Sequence, residues 1–502
     1  MMLKDTNRRD APLRSANLPL LRLEPIFRKL AEDRNPGKVL FNHQVTDFVD
    51  DGNSVLVTVL DPDGKETKYR CQYLVGADGG RFVGPKLGVV MEGPKGIADM
   101  VSIHFSADLS EYWDDRYFAC HFINGSCGTV FESGAIVPLG PTWGRHSEEW
   151  VFHFGFDLND ENRFAEENLL PRVRKLLKIP DLQVKVHKIS HWVLERVLAN
   201  KYSEGRVFLA GDAAHRRPPT TGLGLNTCID DALNLAWKLA LVIKEKATAE
   251  LLSTYEIERR PVGRRNCDWG LFTFKNSNVV NAAIGLVPGQ ESGNKLSFDQ
   301  LFEDSAIGRT RRAQVALMID SQCIEFSAHD IELGFSYPEG FVVPDGTDAP
   351  ESDPFGQIYV PTTRPGHRLP HAWLEKNDAL ISTHDLVGSG IVFLLITDAY
   401  GSEWVSTAEE CASTYDIEIK TVRIDMHSSL VKDVRDHDEQ WEMVKELKRG
   451  GALLVRPDNF VAWRSKLASQ NGGAELANAM RDLMKMARTK GMRNGVAAVN
   501  EG

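Results

Sequence analysis

The chain has 502 residues, 42% apolar and 26% charged, a composition that excludes global disorder and a small disulfide module and suits about three domains at roughly 150 residues each. Its 59 Lys+Arg against 70 Asp+Glu leave a net charge of -11, which opposes a nucleic-acid backbone or an anionic membrane as the main partner and leaves a small molecule as the expected ligand. Met1 to Asp10 lacks the apolar stretch of a secretory signal, and the longest apolar runs, such as Ile391 to Ile396, fall far short of the roughly 20 residues of a membrane span. Seven cysteines (Cys71, Cys120, Cys127, Cys228, Cys267, Cys323 and Cys411) are scattered with no two-residue spacing. They read as reduced thiols of a cytoplasmic protein.

The first element is a helix over Leu18 to Arg34, with apolar positions at Leu20, Leu23, Ile26, Phe27 and Leu30, stopped by Asn35-Pro36-Gly37. Strands follow at Val39 to Val49, Ser54 to Leu60 and Glu66 to Cys71, parted by Asp51-Gly52 and Asp63-Gly64. Tyr73 to Ala77 is a continuous apolar run, the pattern of a strand buried on both faces, and it opens into Asp78-Gly79-Gly80-Arg81. About 97 to 196 is aromatic and β-rich (Met100 to Phe105, Gly128 to Pro138, Trp150 to Phe156), which predicts an inserted sheet domain. Val207 to Ala210 is a second buried strand. Gly211-Asp212, a Pro-Pro-Thr-Thr-Gly loop and a helix from about Asn226 to Lys246 come next, with Leu233, Ala236, Trp237, Ala240 and Leu241 on one helix face. Beyond Gly340 a linker rich in Pro, Gly and Asp (Pro344 to Pro365) leads to alternating strands and helices, and after Asn471 only a short helix carrying Leu476, Met480, Leu483 and Met484 is expected. The fold class is α/β, α+β in part. Residues 1–95 and 197–275 form one domain interrupted by a sheet domain at 96–196; a helical region at 276–344, a third domain at 345–470 and a tail at 471–502 complete the chain.

The chemistry concentrates after the second buried strand. Gly211-Asp212 places a carboxylate at a strand end, where it can accept charge-assisted hydrogen bonds from ribityl or ribose hydroxyls. Gly222-Leu223-Gly224-Leu225-Asn226 allows close backbone approach, and the free N–H groups of a helix N-terminus stabilise an anionic edge such as a reduced flavin N1/C2 oxygen. A surface turn before an ordinary helix is the competing reading of these residues by themselves.

Gly205 to His215, with Pro218-Pro219, Gly222 to Asn226 and Asp231 to Lys238, resembles the second flavin motif of the FAD-dependent aromatic hydroxylases, in particular the phenol and 2,4-dichlorophenol monooxygenases. Tyr73 to Arg81 is similar to the Asp-Gly motif of that family. Gly366 to Leu374, Ser382 to Leu386 and Gly451 to Arg464 resemble its thioredoxin-like C-terminal domain, here without C-x-x-C, so a packing or dimer role is expected of it. The resemblance implies an FAD enzyme that takes hydride from NAD(P)H, reacts with O2 at flavin C4a to form a hydroperoxide, and hydroxylates a phenol-like ring. It implies Asp78 and Gly79 between flavin and nicotinamide nucleotides, Gly211, Asp212, Gly222, Leu223, Gly224, Leu225 and Asn226 around the ribityl and isoalloxazine, Pro219 against the ring system, and the 97–196 sheet as substrate wall.

One departure from the family is large. Its N-terminal βαβ unit with G-x-G-x-x-G is not found: Gly222-x-Gly224 lies in a loop after two prolines, Gly388-Ser389-Gly390 enters a β-type run, and Leu20 stands where the family's early helix has a flavin-contacting glutamine. The expectation is therefore an incomplete Rossmann-like FAD domain lacking about the first hundred residues of such proteins, with weak flavin retention and an exposed apolar sheet edge. A flavin-free accessory protein, or another flavin-dependent oxidation such as ring cleavage or a Baeyer–Villiger step, stays open. No residue that deprotonates the phenol is identifiable. His215 is expected to pack beside the flavin strand, while His43, His104 and His153 read as isolated core or surface residues, and no metal site is expected.

Overall fold

Two Asp-Gly turns fold the early chain into an antiparallel meander. In the computed structural model, which describes residues 7–13, 15–126, 128, 133–425 and 433–488, β1 (Gln44–Asp50), β2 (Val55–Leu60) and β3 (Glu66–Cys71) lie side by side in that order. Asp51 caps the first turn by accepting from the backbone N–H groups of Asn53 (2.9 Å) and Ser54 (2.7 Å). Val55, Val57 and Val59 alternate into the core with Phe48. The strand expected from Val39 begins only at Gln44, and Leu40 and Phe41 are exposed. Cys127 and residues 129–132 of the predicted Gly128 to Pro138 strand lie outside the described residues.

The opening helix forms as α1 (Leu20–Arg34), but it buries no residue, and its apolar stripe of Leu20, Ile26, Phe27 and Leu30 faces solvent. Helical periodicity reports an apolar face without saying what covers it. Arg22 secures the helix, donating to the Leu139 carbonyl (3.1 Å) and pairing with Glu149 (3.0 Å). The next strand, β4 (Leu74–Gly76), corrects a second expectation: only Gly76 is buried, and Val75 is 41% exposed.

The inserted sheet contains β5 (Ala98–Ser106), β6 (Cys120–Phe122), β7 (Gly134–Gly140), β8 (Glu149–Phe156) and, after α2 (Glu166–Leu177), β9 (Lys185–Leu194). All pairings are antiparallel in the order β9-β5-β8-β7-β6. One face, with Val101, Ile103, Phe105, Trp150, Phe152 and Phe154, packs on Leu169 and Val173 of α2. The other face carries polar side chains.

The chain then returns to the first unit. β10 (Val207–Leu209) is wholly buried and pairs in parallel with β4, Val207 opposite Leu74 and Leu209 opposite Gly76. Ser203–Glu204 covers its other edge, which makes β4 the edge strand of this three-stranded sheet. Among the described residues there is no strand–turn–helix with G-x-G-x-x-G.

The helix after β10, α3 (Leu223–Ile243), starts three residues earlier than expected and packs on α4 (Glu250–Asn276). Its expected apolar face is only partly right: Trp237 and Leu241 are buried, but Leu233 is 44% exposed and Ala236 is exposed. The stripe taken inside includes Asp231, Asn234 and Lys238 instead. Glu258 of α4 accepts from Lys238 Nζ (2.7 Å), Asn234 Nδ2 (2.7 Å), the Phe341 N–H (2.8 Å) and both terminal nitrogens of Arg456 (2.8 and 2.9 Å). Arg456 also forks onto Asp458 (2.6 and 2.9 Å), which takes the indole N–H of Trp237 (3.1 Å). Burial works against the charge on Glu258, yet Arg456 and Lys238 hold its carboxyl down to about 2.

Three helices (Asn278–Ile284, Glu291–Gln300, Ala306–Ser321) fill the region after α4. Pro344 to Pro365 is no loose linker. Val343 N–H bonds the Ala462 carbonyl (2.8 Å), and Arg464 holds Asp345 (2.6 and 2.9 Å). The C-terminal unit is a seven-stranded mixed sheet in which β11 (Val392–Thr397) runs parallel, through α5 (Ser402–Tyr415), to the middle strand β12 (Glu418–Asp425) and antiparallel to β13 (Ala452–Val455), which forms a hairpin with β14 (Val461–Ser465). The expected tail helix is a core element: in α6 (Ala474–Arg488), Leu476, Met480, Leu483 and Met484 are buried with Trp404 and Trp463, in one cluster that also takes Trp237 and Leu241 of α3.

Removing Arg456 leaves Glu258 and Asp458 short of a cation in a dry interface. Arg456→Met is expected to cost about 3–5 kcal/mol, read as a fall in the thermal midpoint and as earlier proteolysis between the C-terminal unit and α3. An unchanged midpoint contradicts the role given to this network.

Candidate flavin site

At the end of β10 the backbone turns sharply. Gly211 has φ +64°, and a Cβ there would press on Cys228 Sγ at 3.1 Å, so the position requires glycine. Its N–H donates to Asp231 Oδ2 (3.1 Å), and the same carboxylate accepts from His215 Nε2 (2.7 Å) and Arg259 Nε (2.8 Å). Asp231 is fully buried; burial opposes its charge, but Arg259 and His215 hold it at about 2. Packed beside the strand as expected, His215 keeps a buried Nδ1 with no hydrogen-bond partner. Asp231, in the sequence only one residue of the motif after the loop, thus ties the turn to α3 and α4.

The neighbouring Asp212 points outward. Its carboxylate is exposed, and its one hydrogen-bond contact among the described residues is a weak one, with Cys228 Sγ at 3.9 Å. Burial, with Asp212 and Asp231 beside it, pushes the Cys228 thiol up to about 12, so it remains an S–H donor. Cys228 sits near the start of α3, so its contact brings Asp212 alongside the helix N-terminus. Gly222 caps that terminus at φ +65°, with no side chain bonded to the first-turn amides of Leu223, Gly224 and Leu225. A Cβ added at Gly222 or Gly224 would meet nothing within 4 Å, so both face open space. Leu223 anchors the turn against Ala328, Ile331 and Trp269. Pro219 is exposed on the adjoining turn, and Asn226 donates back to the Gly222 carbonyl (3.1 Å).

Asp78 behaves differently from Asp212. Its oxygens accept from the N–H groups of Gly80 (3.0 Å), Phe82 (2.7 Å) and Val83 (2.8 Å), which outweigh burial and hold the carboxyl below its ordinary value. Asp78 shapes its loop, and what the loop offers outward is backbone. Arg216, unnoticed in the sequence, joins the two motifs by donating to the carbonyls of Gly79 (3.1 Å) and Asp212 (3.4 Å) while paired with Glu195 (2.9 Å).

A second missed residue is Glu325, half-buried, for which burial alone pushes the carboxyl up to about 8. It has no hydrogen-bond or ionic partner among the described residues. Phe326 beside it stacks edge-on against Phe118 of the inserted domain (4.9 Å), and Ala328 packs on Leu223. Glu325 therefore belongs to the segment between the inserted sheet and the α3 N-terminus. No motif marked it. The histidines are less isolated than their spacing suggests: His104 Nε2 bonds Glu149 (2.9 Å) near His187, with Arg22 on the same carboxylate, while His43 bonds the Phe41 carbonyl. No helix among the described residues is long and apolar enough to cross a membrane.

The FAD binding domain family matches residues 3–270, and the aromatic-ring hydroxylase C-terminal family matches residues 362–487. The chain belongs to the FAD-dependent aromatic-ring monooxygenases. It is 31% identical to 2,4-dichlorophenol 6-monooxygenase of Delftia acidovorans, over 95% of this chain and 80% of that protein, and 32% identical to phenol 2-monooxygenase of a Pseudomonas species, over 91% and 73%. The crystal structure of the flavin-dependent monooxygenase PieE in complex with FAD and substrate superposes with a TM-score of 0.87 at 33% identity, covering 95% of this chain and 82% of that one. FAD is the cofactor of this family of enzymes, and the open carboxylate and uncapped amide turn suit it.

Two measurements follow from this geometry. Asp212→Ala is expected to weaken FAD binding roughly ten- to hundredfold, the worth of one or two charge-assisted hydrogen bonds, while the melting of the flavin-free protein stays put; fluorescence titration and calorimetry separate the two. The carboxyl of Glu325 binds its proton more tightly folded than at the ordinary 4.5, so its contribution to stability is full below that value and is lost as pH rises towards 8. Glu325→Gln is expected to raise the melting temperature at pH 8–9 and leave it unchanged at pH 4–5.

Proposed function

We propose that the chain hydroxylates a phenol-type ring, using NAD(P)H and O2. The observation that carries this reading is the meeting, through Cys228, of an unspent carboxylate with an uncapped helix N-terminus that faces open space. Asp212 would accept the ribityl hydroxyls of FAD. The amides of Leu223 to Leu225, at the positive end of α3, would hold the anionic edge of the reduced isoalloxazine, with Pro219 flanking the ring and the loop of Asp78 and Gly79 offering backbone to a nucleotide. When bound, FAD supplies hydride acceptance and oxygen activation. The protein's share is to orient the ring, exclude water and manage the phenolic proton, for which Glu325, a carboxyl with no internal partner, is the candidate acceptor.

The wider frame belongs to the same proposal. Residues 1–95 and 197–275 form one Rossmann-like unit, 96–196 the substrate wall and 345–470 a thioredoxin-like unit extended by α6. The β11–α5–β12 crossover and the β13–β14 hairpin support the last. A reducing cytoplasm fits an unpaired set of described cysteines, and a homodimer belongs to the same proposal. Ring cleavage and Baeyer–Villiger chemistry have no observation in their favour.

The decisive assay adds FAD to the purified chain and follows NAD(P)H oxidation with and without a simple phenol, together with the hydroxylated product. Phenol-stimulated oxidation with product is expected; tightly bound FAD with oxidation indifferent to any phenol would overturn the reading. The described residues provide for the ribityl and isoalloxazine half of the cofactor and contain no G-x-G-x-x-G turn for its pyrophosphate. FAD is accordingly expected to leave residues 1–502 during gel filtration, and a stoichiometric yellow protein eluting without added FAD would show a pyrophosphate site elsewhere in the chain.

A further inference from the structure

The polar face of the inserted sheet holds a hydrogen-bonded chain that no motif marked. Ser102 on β5 lies directly opposite His153 on β8, and Trp192 on β9 is one pair further along. The indole N–H of Trp192 donates to Ser102 Oγ (2.9 Å), and Ser102 Oγ lies 2.8 Å from His153 Nδ1. A tryptophan nitrogen is only ever a donor, so it occupies an oxygen lone pair of the serine. That leaves the hydroxyl hydrogen of Ser102 free to point at His153 Nδ1, and in that arrangement the nitrogen accepts and the ring hydrogen sits on Nε2.

Two further features fix what Nε2 can do. Burial, with His121 adding to it, pulls the His153 imidazole down to about 4, so the ring is neutral at neutral pH. His121 stands across the sheet, one strand beyond Ala135, the small residue opposite His153 on β7. The groups that flank the imidazole on this face are Met100, Ser102 and His104 on β5, Trp192, Ala135, His121 and, on its own strand, Val151 and Gly155, none of them a fixed cation. Arg22, further along the same face, is already paired with Glu149. Nε2 has no protein partner among the described residues, and the side chain is only half-buried.

We propose that His153, held in its Nε2–H tautomer by Ser102 and Trp192, is the neutral donor that grips the ring oxygen of the substrate and selects a phenol without a ring carboxylate. This rests on the reading of the site as a phenol hydroxylase and names its recognition group. A neutral N–H favours a phenolate or hydroxyl oxygen, whereas a ring carboxylate held at the same nitrogen would find no fixed cation among the groups that flank the imidazole, Arg22 being engaged with Glu149 and Lys188 lying exposed opposite His104. Ser102 and Trp192 are positioning residues, since they reach the substrate only through the imidazole.

The test uses the full chain with excess FAD and titrates in 4-nitrophenol, whose absorption separates phenol from phenolate, and 4-nitrobenzoate as the carboxylated counterpart. The wild type is expected to bind nitrophenol with a phenolate-like spectrum below the probe's free pKa and to bind nitrobenzoate far more weakly. His153→Leu is expected to lose roughly tenfold or more in nitrophenol affinity together with the phenolate signature, His153→Gln to recover part of both, and Ser102→Ala to weaken the signature with a smaller loss of affinity. FAD affinity serves as the folding control for each variant. Equal nitrophenol binding and an equal spectrum in wild type and a folded His153→Leu would overturn the assignment while leaving the phenol hydroxylase reading intact, as would tighter binding of nitrobenzoate by the wild type. No nitrophenol binding and no phenol-stimulated NAD(P)H oxidation in the FAD-loaded wild type would overturn both.

Discussion

Asp231 has no access to solvent, and an ionised carboxylate so placed must be matched by protein donors. It is matched from three directions: by the Gly211 N–H at the strand end, His215 beyond the turn and Arg259 on α4. These contacts set the angle at which the backbone leaves β10 and therefore where the next residue, Asp212, presents its carboxylate. Two turns of α3 thus have opposite tasks. The first keeps its amides bare, and the third spends a charge on holding the strand in front of them.

The same helix continues into a second buried set of charges, with Asn234 and Lys238 facing Glu258 and, through it, Arg456. α3 therefore runs from the bare Leu223 to Leu225 amides at one end into the C-terminal sheet at the other, where Trp237 and Leu241 share a core with α6. Apolar packing alone tolerates some sliding between elements. A forked guanidinium between two carboxylates does not, so the C-terminal unit fixes the helix in both rotation and register.

The strands, the inserted sheet and the Gly211-Asp212 and Gly222 to Asn226 segments were legible because each rests on a local rule: Asp-Gly turns, alternating burial, glycine where the backbone must come close. The buried stripe of α3 was not, because reading a helix by its apolar spacing assumes that the inside is apolar, and here Leu233 is outside while Asp231 and Lys238 are inside. Partners settle that question, and those partners sit far away in the chain. For the same reason α1 has an apolar stripe at helical spacing yet buries nothing, while α6 reads as a tail yet closes a core. Glu325 and the Trp192–Ser102–His153 chain were invisible because nothing in a single residue type says that a carboxyl lacks a partner or that three strands bring three side chains into line.

The parallel pairing of β4 with β10 also imposes an order on how the molecule is made. Leu74 can meet Val207 only after the whole inserted sheet lies between them, and closing so long a loop from an unfolded chain is entropically slow. Within the inserted sheet only β6, β7 and β8 follow one another as hairpins, and it is the pairing of β5 with β9 that brings the two ends of the insertion together. On the ribosome the inserted sheet is thus made before the strand that leads to Asp212 emerges, and the turn that follows that strand is fixed only once Arg259 of α4 arrives to join Asp231.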